Sequence, residues 1–234
     1  MMNNDFFKFF LKPVFSKKDS LDVAFCIRNK MYSYSQLYDA VEQIWNVVKD
    51  LPEDLIGLYA TDDIRTYASI IALWCCGKTY IPLNPKQPKE RHIEVIKNVG
   101  SHFILSADKK YNIDVESVNM VPTKEVLMDG YSRKESVEFS KVPESTLAYI
   151  IFTSGSTGKP KGVPITRGNV AAFIDSMNHI GLDITKEDKC LQPFDLTFDF
   201  SVSSYVIPLA KGASIYTIPQ KAIKFSYIAG LLED

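Results

Sequence analysis

The chain is poor in cysteine and has no pattern that would make use of it. Its four cysteines, Cys26, Cys75, Cys76 and Cys190, form no C-x-x-C pair, and Cys75 and Cys76 fall inside an apolar helical pattern. That spacing excludes a disulfide framework and points to reduced, mostly buried thiols in a cytoplasmic setting. Charge of one sign is also missing. The 27 Lys and Arg against 28 Asp and Glu are interspersed, so no basic face advertises nucleic acid. Long apolar runs are absent as well. The N-terminal "MMNNDFFKFFLKPVF" is broken by Lys8, Lys12 and Pro13, too often for a signal-peptide core or a spanning helix. A docked N-terminal segment is expected there, with a surface-binding amphipathic piece as the alternative, and no membrane insertion. No internal repeat or low-complexity tract occurs. What is present is an ordinary globular composition, with 46% apolar residues and enough length for one large or two small domains.

The periodicity is that of an α/β protein. Residues 23–34 read as two short strands around a turn at Arg28-Asn29-Lys30. A helix follows, with Leu37, Val41, Ile44 and Val48 on one face and capping-box spacing between Ser33 and Gln36. Then come a strand over 54–60, a helix stopping at Gly77, the strand "TYIPL", a helix ending at Gly100 and the strand "HFILS". This strand–helix alternation predicts a mostly parallel sheet flanked by helices. Residues 107–145 are charged and irregular, with weak strands "VNMVP" and "EVLM". They are expected to form an excursion on the surface or a short antiparallel edge. Regular structure resumes with "TLAYIIFT". Val170, Phe173, Ile174 and Met177 then mark a helix, "KCLQP" a strand, 202–210 a helix, "ASIYTIP" a strand and 221–233 a helix.

The stretch "TSGSTGKPKG", residues 153–162, is unusual at the end of an apolar strand. Thr153, Ser154, Ser156 and Thr157 supply short hydroxyl donors. Gly155 and Gly158 let backbone amides turn toward an anion, and Lys159 and Lys161 add positive charge. Pro160 stiffens the loop, so less freedom is lost on binding. The spacing is not that of the common P-loop, because five residues after Gly155 comes Pro160. A strand ending this way is suited to hold a polyphosphate; a solvent-exposed hairpin would gain nothing from the clustered hydroxyls.

"YIIFTSGSTGKPKGV" resembles the phosphate-loop signature of the adenylate-forming (AMP-binding) superfamily, without a break over residues 152–163. That resemblance implies ATP as co-substrate, with Mg²⁺. It makes Thr153, Ser154, Gly155, Ser156, Thr157, Gly158, Lys159 and Lys161 the phosphate-contacting set. "MYSYSQLYDAVEQI" and "LWCCGKTYIPLNPKQPKERH" resemble further family segments, with Cys76 and Lys78 in place of small residues and Asn84 in place of Asp. Arg167 stands where many relatives have His.

Asp199, between Phe198 and Phe200, opens the helix that follows. Its carboxylate can cap that helix by accepting first-turn amides, or pair with a cationic ligand group. Capping is the simpler reading of the residue alone. The segment "FDFSV" is similar to that of amino-acid-activating members such as D-alanine–carrier-protein ligases and peptide synthetase adenylation domains. The resemblance implies that Asp199 binds the substrate's α-ammonium group, with Phe200 and Ser203 lining its pocket. Asp195, in "FDLT", is the second candidate. The implied partners are an amino acid and a carrier protein bearing a phosphopantetheine thiol. The alternatives are an acyl- or aryl-acid ligase and a non-catalytic binding module. No "Y-G-P-T-E"-like segment, "T-G-D" aspartate or lysine-bearing C-terminal subdomain is found. The expectation is therefore the N-terminal part of an adenylation domain, spanning 1–234, with no catalytic residue of its own and little activity alone.

Overall fold

The computed structural model describes residues 5–123, 131–154, 160–219, 222 and 224–233. A π-helical stretch, Phe7–Leu11, runs into α1 (Lys12–Phe15). Then follow β1 (Val23–Ile27), β2 (Lys30–Ser33), α2 (Tyr34–Val48), β3 (Leu55–Tyr59), α3 (Ile64–Cys75), β4 (Thr79–Leu83), α4 (Lys89–Val99) and β5 (Phe103–Ser106). The second half contains β6 (Asn119–Pro122), β7 (Leu147–Ser154), β8 (Pro160–Thr166), α5 (Arg167–His179), β9 (Lys189–Gln192), α6 (Phe200–Lys211), β10 (Ser214–Thr217) and α7 (Lys224–Glu233).

Local chemistry accounts for most of these boundaries. Ser33 Oγ accepts the Gln36 amide at 3.1 Å while Gln36 Oε1 accepts the Ser33 amide at 3.0 Å, the reciprocal box that starts α2. Asp63 caps α3 by accepting the Arg65 amide at 2.9 Å. The β1–β2 turn places Arg28 and Asn29 at φ 51° and 64°, the twist that a two-residue hairpin needs. α6 begins at Phe200, two residues ahead of the expected start, and the expected start of α7 at 221 lies outside the described residues.

The strands form two sheets. A six-stranded sheet has the order β6-β5-β3-β4-β7-β8 and is parallel except for the β7–β8 hairpin. A four-stranded sheet has the order β2-β1-β10-β9, with β1 parallel to β10 and β10 parallel to β9. The mostly parallel, helix-flanked architecture is thus present. Along β4, β5 and β7, neighbouring residues serve opposite sides. Tyr80, Leu105, Tyr149 and Ile151 join the main core, while Ile81, Ile104 and Ile150 join a second core with Val95 and Ile96 of α4. A strand period of two puts those cores on opposite faces of the sheet.

The N-terminal segment is docked. Phe6 and Phe10 are fully buried and meet Trp74 edge-on at 5.2 and 5.3 Å, and the Trp74 indole donates to the Ala148 carbonyl at 2.9 Å. Residues 107–145 differ from expectation in one way. "VNMVP" forms β6, but it pairs parallel with β5, so the edge is not antiparallel. Residues 133–137 are fastened to the neighbouring elements: Glu42 Oε1 accepts the amides of Lys134 and Glu135 at 2.8 and 2.9 Å, Arg133 pairs with Asp19 and Asp39, and Val137 is buried. "EVLM" lies outside the described residues. Lys78, in place of a small residue, donates from Nζ to the carbonyls of Leu51 and Glu53 at 2.7 and 2.8 Å, a structural staple.

Candidate functional site

The β7–β8 hairpin carries the hydroxyl–glycine stretch at its tip. Thr153 pairs with Lys161 and Ser154 with Pro160 across the hairpin. Thr153 and Lys161 are both exposed, and the Thr153 hydroxyl has only a long contact, 3.5 Å, to the Lys161 carbonyl. Gly155, Ser156, Thr157, Gly158 and Lys159 lie outside the described residues, as does the side chain of Ser154. At Gly162 a Cβ would lie 3.0 Å from Ile150 Cγ2 and 3.1 Å from Phe152 Cζ, so a larger residue would require those side chains to give by a few tenths of an ångström.

β8 leads into α5 through a second capping box, in which Thr166 Oγ1 accepts the Asn169 amide at 3.1 Å and Asn169 Oδ1 accepts the Thr166 amide at 3.0 Å. This sets α5 beside α6. Between them lies a cavity of about 420 Å³. From α5 it receives Asn169, Val170, Phe173 and Met177; from α6, Val202 and the expected trio Asp199, Phe200 and Ser203. The structure therefore brings the three expected substrate residues together on one wall. Phe200 is 66% exposed, and Ser203 Oγ donates to the Phe200 carbonyl at 2.7 Å.

Asp199 does not cap α6. Its own backbone is helical, φ −58° and ψ −38°, and its side chain makes no capping bond. The Ser201 and Val202 amides are already taken by the carbonyls of Phe198 and Asp199, at 2.9 and 3.0 Å. Capping needs an extended residue in front of free amides, and neither condition is met. The carboxylate instead accepts the Tyr149 hydroxyl, Oη to Oδ1, at 2.6 Å. Burial, and then this bond to Asp199, hold the Tyr149 phenol well above its usual pKa, so it remains a donor.

Asp195 is occupied differently. Its Oδ1 accepts both the amide and the hydroxyl of Thr197, at 3.0 and 2.8 Å, closing a local turn. It lines a separate cleft of about 110 Å³ with Asp62, Lys86 and Lys224.

Tyr149, Asn169, Phe173 and Met177 border the cavity but were not singled out as site residues by the sequence. Phe173 and Met177 share a helical stripe with the buried Val170 and Ile174, and only the neighbouring α6 decides that its edge opens on a cavity. Tyr149 had one legible signal: it lies on the same strand face as Thr153, four residues earlier. Among the described residues no group of three His, Cys, Asp or Glu side chains could hold a metal ion. The exposed Thr153 hydroxyl and Lys161 ammonium fit a phosphate anion. No helix among the described residues is long and apolar enough to cross a membrane.

Comparison with known proteins agrees with the fold. A family model described as AMP-binding enzyme matches residues 16–233. The ferrichrome siderophore peptide synthetase of Mycosarcoma maydis is 34% identical over 196 residues, 83% of this chain and 5% of that protein. Two solved structures of NpsA from Klebsiella oxytoca share the fold. Its N-terminal subdomain with 3-hydroxyanthranilyl-AMSN superposes with TM-score 0.76 at 21% identity, covering 99% of this chain and 57% of that one. An artificially fused adenylation–PCP di-domain gives TM-score 0.82 at 20% identity, covering 96% and 45%. The chain thus spans little more than half of the subdomain and a small fraction of the synthetase.

Proposed function

The chain belongs to the AMP-binding enzyme family, and from that premise we propose that it is the N-terminal part, spanning 1–234, of an amino-acid adenylation domain. The reaction is attack of an amino acid's carboxylate oxygen on the α-phosphorus of ATP. The bond to the β-phosphate oxygen breaks, releasing pyrophosphate and leaving an aminoacyl-adenylate. A phosphopantetheine thiol on a carrier protein then attacks the acyl carbon, and AMP leaves.

The observation that carries this reading is the state of Asp199. A carboxylate that caps nothing, at the wall of an otherwise mostly apolar cavity, is suited to an ammonium group. Thr153, Ser154, Gly155, Ser156, Thr157, Gly158, Lys159 and Lys161 form the phosphate-facing set in this reading. β7 links the two functions. Tyr149, which holds Asp199, and Thr153 share one strand face and lie about 13 Å apart at strand rise. That is the length scale of a small amino acid placed end to end with an extended triphosphate. Mg²⁺ carried on the phosphates supplies charge neutralisation. Preorganised charge around the α-phosphate completes such a transition state. In this reading much of it comes from elements outside these residues, so the chain alone is weakly active at most.

The aromatic lining also suits an aryl acid, the second reading. The two separate at Asp199, because an acid without an ammonium group leaves that carboxylate without a cationic partner. The test is ATP–pyrophosphate exchange by the full-length gene product with a panel of amino, aryl and fatty acids. Exchange dependent on an amino acid and abolished by Asp199→Ala supports the proposal. Exchange driven equally well by aryl or fatty acids, and unmoved by Asp199→Ala, refutes it.

A further inference from the structure

Asp199 is the exposed end of a chain of buried groups. Tyr149 is 4% exposed, and its ring lies 5.5 Å from that of Tyr80. The Tyr80 hydroxyl meets the Tyr205 hydroxyl at 2.9 Å, and both residues are fully enclosed. Tyr205 belongs to α6, the helix that Asp199 opens. Three tyrosines thus connect β7, β4 and α6, and they fix where the Tyr149 hydroxyl stands relative to the start of α6.

That hydroxyl has one hydrogen to give, and it gives it to Asp199 Oδ1. Asp199 has no other hydrogen-bond partner for its carboxylate among the described residues, since no cap is formed and its neighbours' amides are used. An exposed aspartate side chain without a partner samples several rotamers, and a ligand must then supply the ordering energy. With Oδ1 pinned, Oδ2 is left with a defined direction and an unfilled set of lone pairs.

We propose that Tyr149 is a positioning residue that gives the site its preference for acids carrying an α-ammonium group, by holding the Asp199 carboxylate in one orientation with one oxygen free for the cation. This rests on the reading of Asp199 as the ammonium anchor. Tyr149 borders the cavity, but in this scheme its effect on the ammonium group is exerted through Asp199. Burial keeps the phenol protonated far above neutral pH, so the hold does not lapse across the working range.

The experiment measures the ratio of kcat/KM in pyrophosphate exchange for the preferred amino acid and for its des-amino analogue, in the full-length gene product. Wild type, Tyr149→Phe, Asp199→Asn and the double variant are compared. Tyr149→Phe keeps the ring in its packing and removes only the donor. The expected result is a ratio narrowed about tenfold by Tyr149→Phe, the scale of one charge-assisted hydrogen bond, through a higher KM for the amino acid. In the Asp199→Asn background the same change should no longer alter the ratio. A collapse with Asp199→Asn but a ratio within twofold of wild type for Tyr149→Phe overturns this proposal and leaves the anchor reading intact. Equal losses for both substrates in both backgrounds reveal a merely structural tyrosine and overturn it too. A wild-type ratio near one, or one that Asp199→Asn does not change, sinks the anchor reading and this proposal with it.

Discussion

Arg167 is a buried cation with almost nothing to pair with, and replacing it should not weaken the fold. It opens α5, is 2% exposed, and forms no ion pair with a described carboxylate. One terminal N–H reaches the Lys78 carbonyl at 3.4 Å, Nε has no partner among the described residues, and the guanidinium lies 5.3 Å from the Phe6 ring centre. Burial pushes its pKa from the ordinary guanidinium range down to about 10. At about 1.36 kcal/mol per factor of ten, keeping the group charged costs the fold about 3 kcal/mol. The stacking on Phe6 returns about 1–2 kcal/mol and the long hydrogen bond less than about 1. Arg167→Met keeps the length of the side chain and removes the charge, so the variant should be neutral to about 2 kcal/mol more stable. For a chain of this size each kcal/mol moves Tm by about 2–4 °C. Scanning calorimetry or fluorescence melting at pH 8 should therefore show a Tm equal to wild type or up to about 8 °C higher. The pH dependence follows from the sign of the shift. From about pH 10 upward the unfolded chain holds this proton more tightly than the folded one. The cost is fully present below pH 10 and relaxes above it, so the variant's advantage should shrink as pH climbs past 10. A Tm lowered by more than about 4 °C at pH 8 would refute the reasoning, because the guanidinium would then be stabilising more than its burial costs.

Two further substitutions test the packing. Gly77 sits at φ +77°, and a Cβ there would lie 2.9 Å from Val142 Cγ1; Gly77→Ala should cost about 2 kcal/mol and lower Tm, and an unchanged Tm would show that this contact gives way freely. Glu42→Ala leaves the Lys134 and Glu135 amides without their acceptor; a loss of about 3 kcal/mol is expected, with faster hydrogen exchange confined first to those two amides, and exchange unchanged there would contradict the stapling of 131–140 onto α2.

Much of the fold was legible because its signals are local. Ser33 with Gln36, the glycines at 77 and 100, and the apolar runs of β3, β4 and β7 each announce themselves within a few residues. The division into two sheets was not, because it depends on β1 lying beside β10, nearly two hundred residues away, which no local pattern encodes. The site divides the same way. Asp199, Phe200 and Ser203 could be picked out of one short segment, whereas Asp199's partner Tyr149 lies fifty residues earlier on another strand. The capping expectation for Asp199 failed for a physical reason: the chain enters α6 through a helical turn, so the residue reaches the helix with its amides already occupied.

Kinship and packing have different borders in this molecule. The family likeness starts at residue 16, yet Phe6 and Phe10 already close the core over Trp74, and the Asp5 amide donates to Glu144 at 2.6 Å. A protein cut to the likeness would leave an indole facing water at the seam between α3 and β7. The same eleven or so residues also lie against α5 and α6, the two walls of the cavity. A fusion partner joined directly at Phe6 would press on the cavity from behind, so a graft there needs a generous spacer.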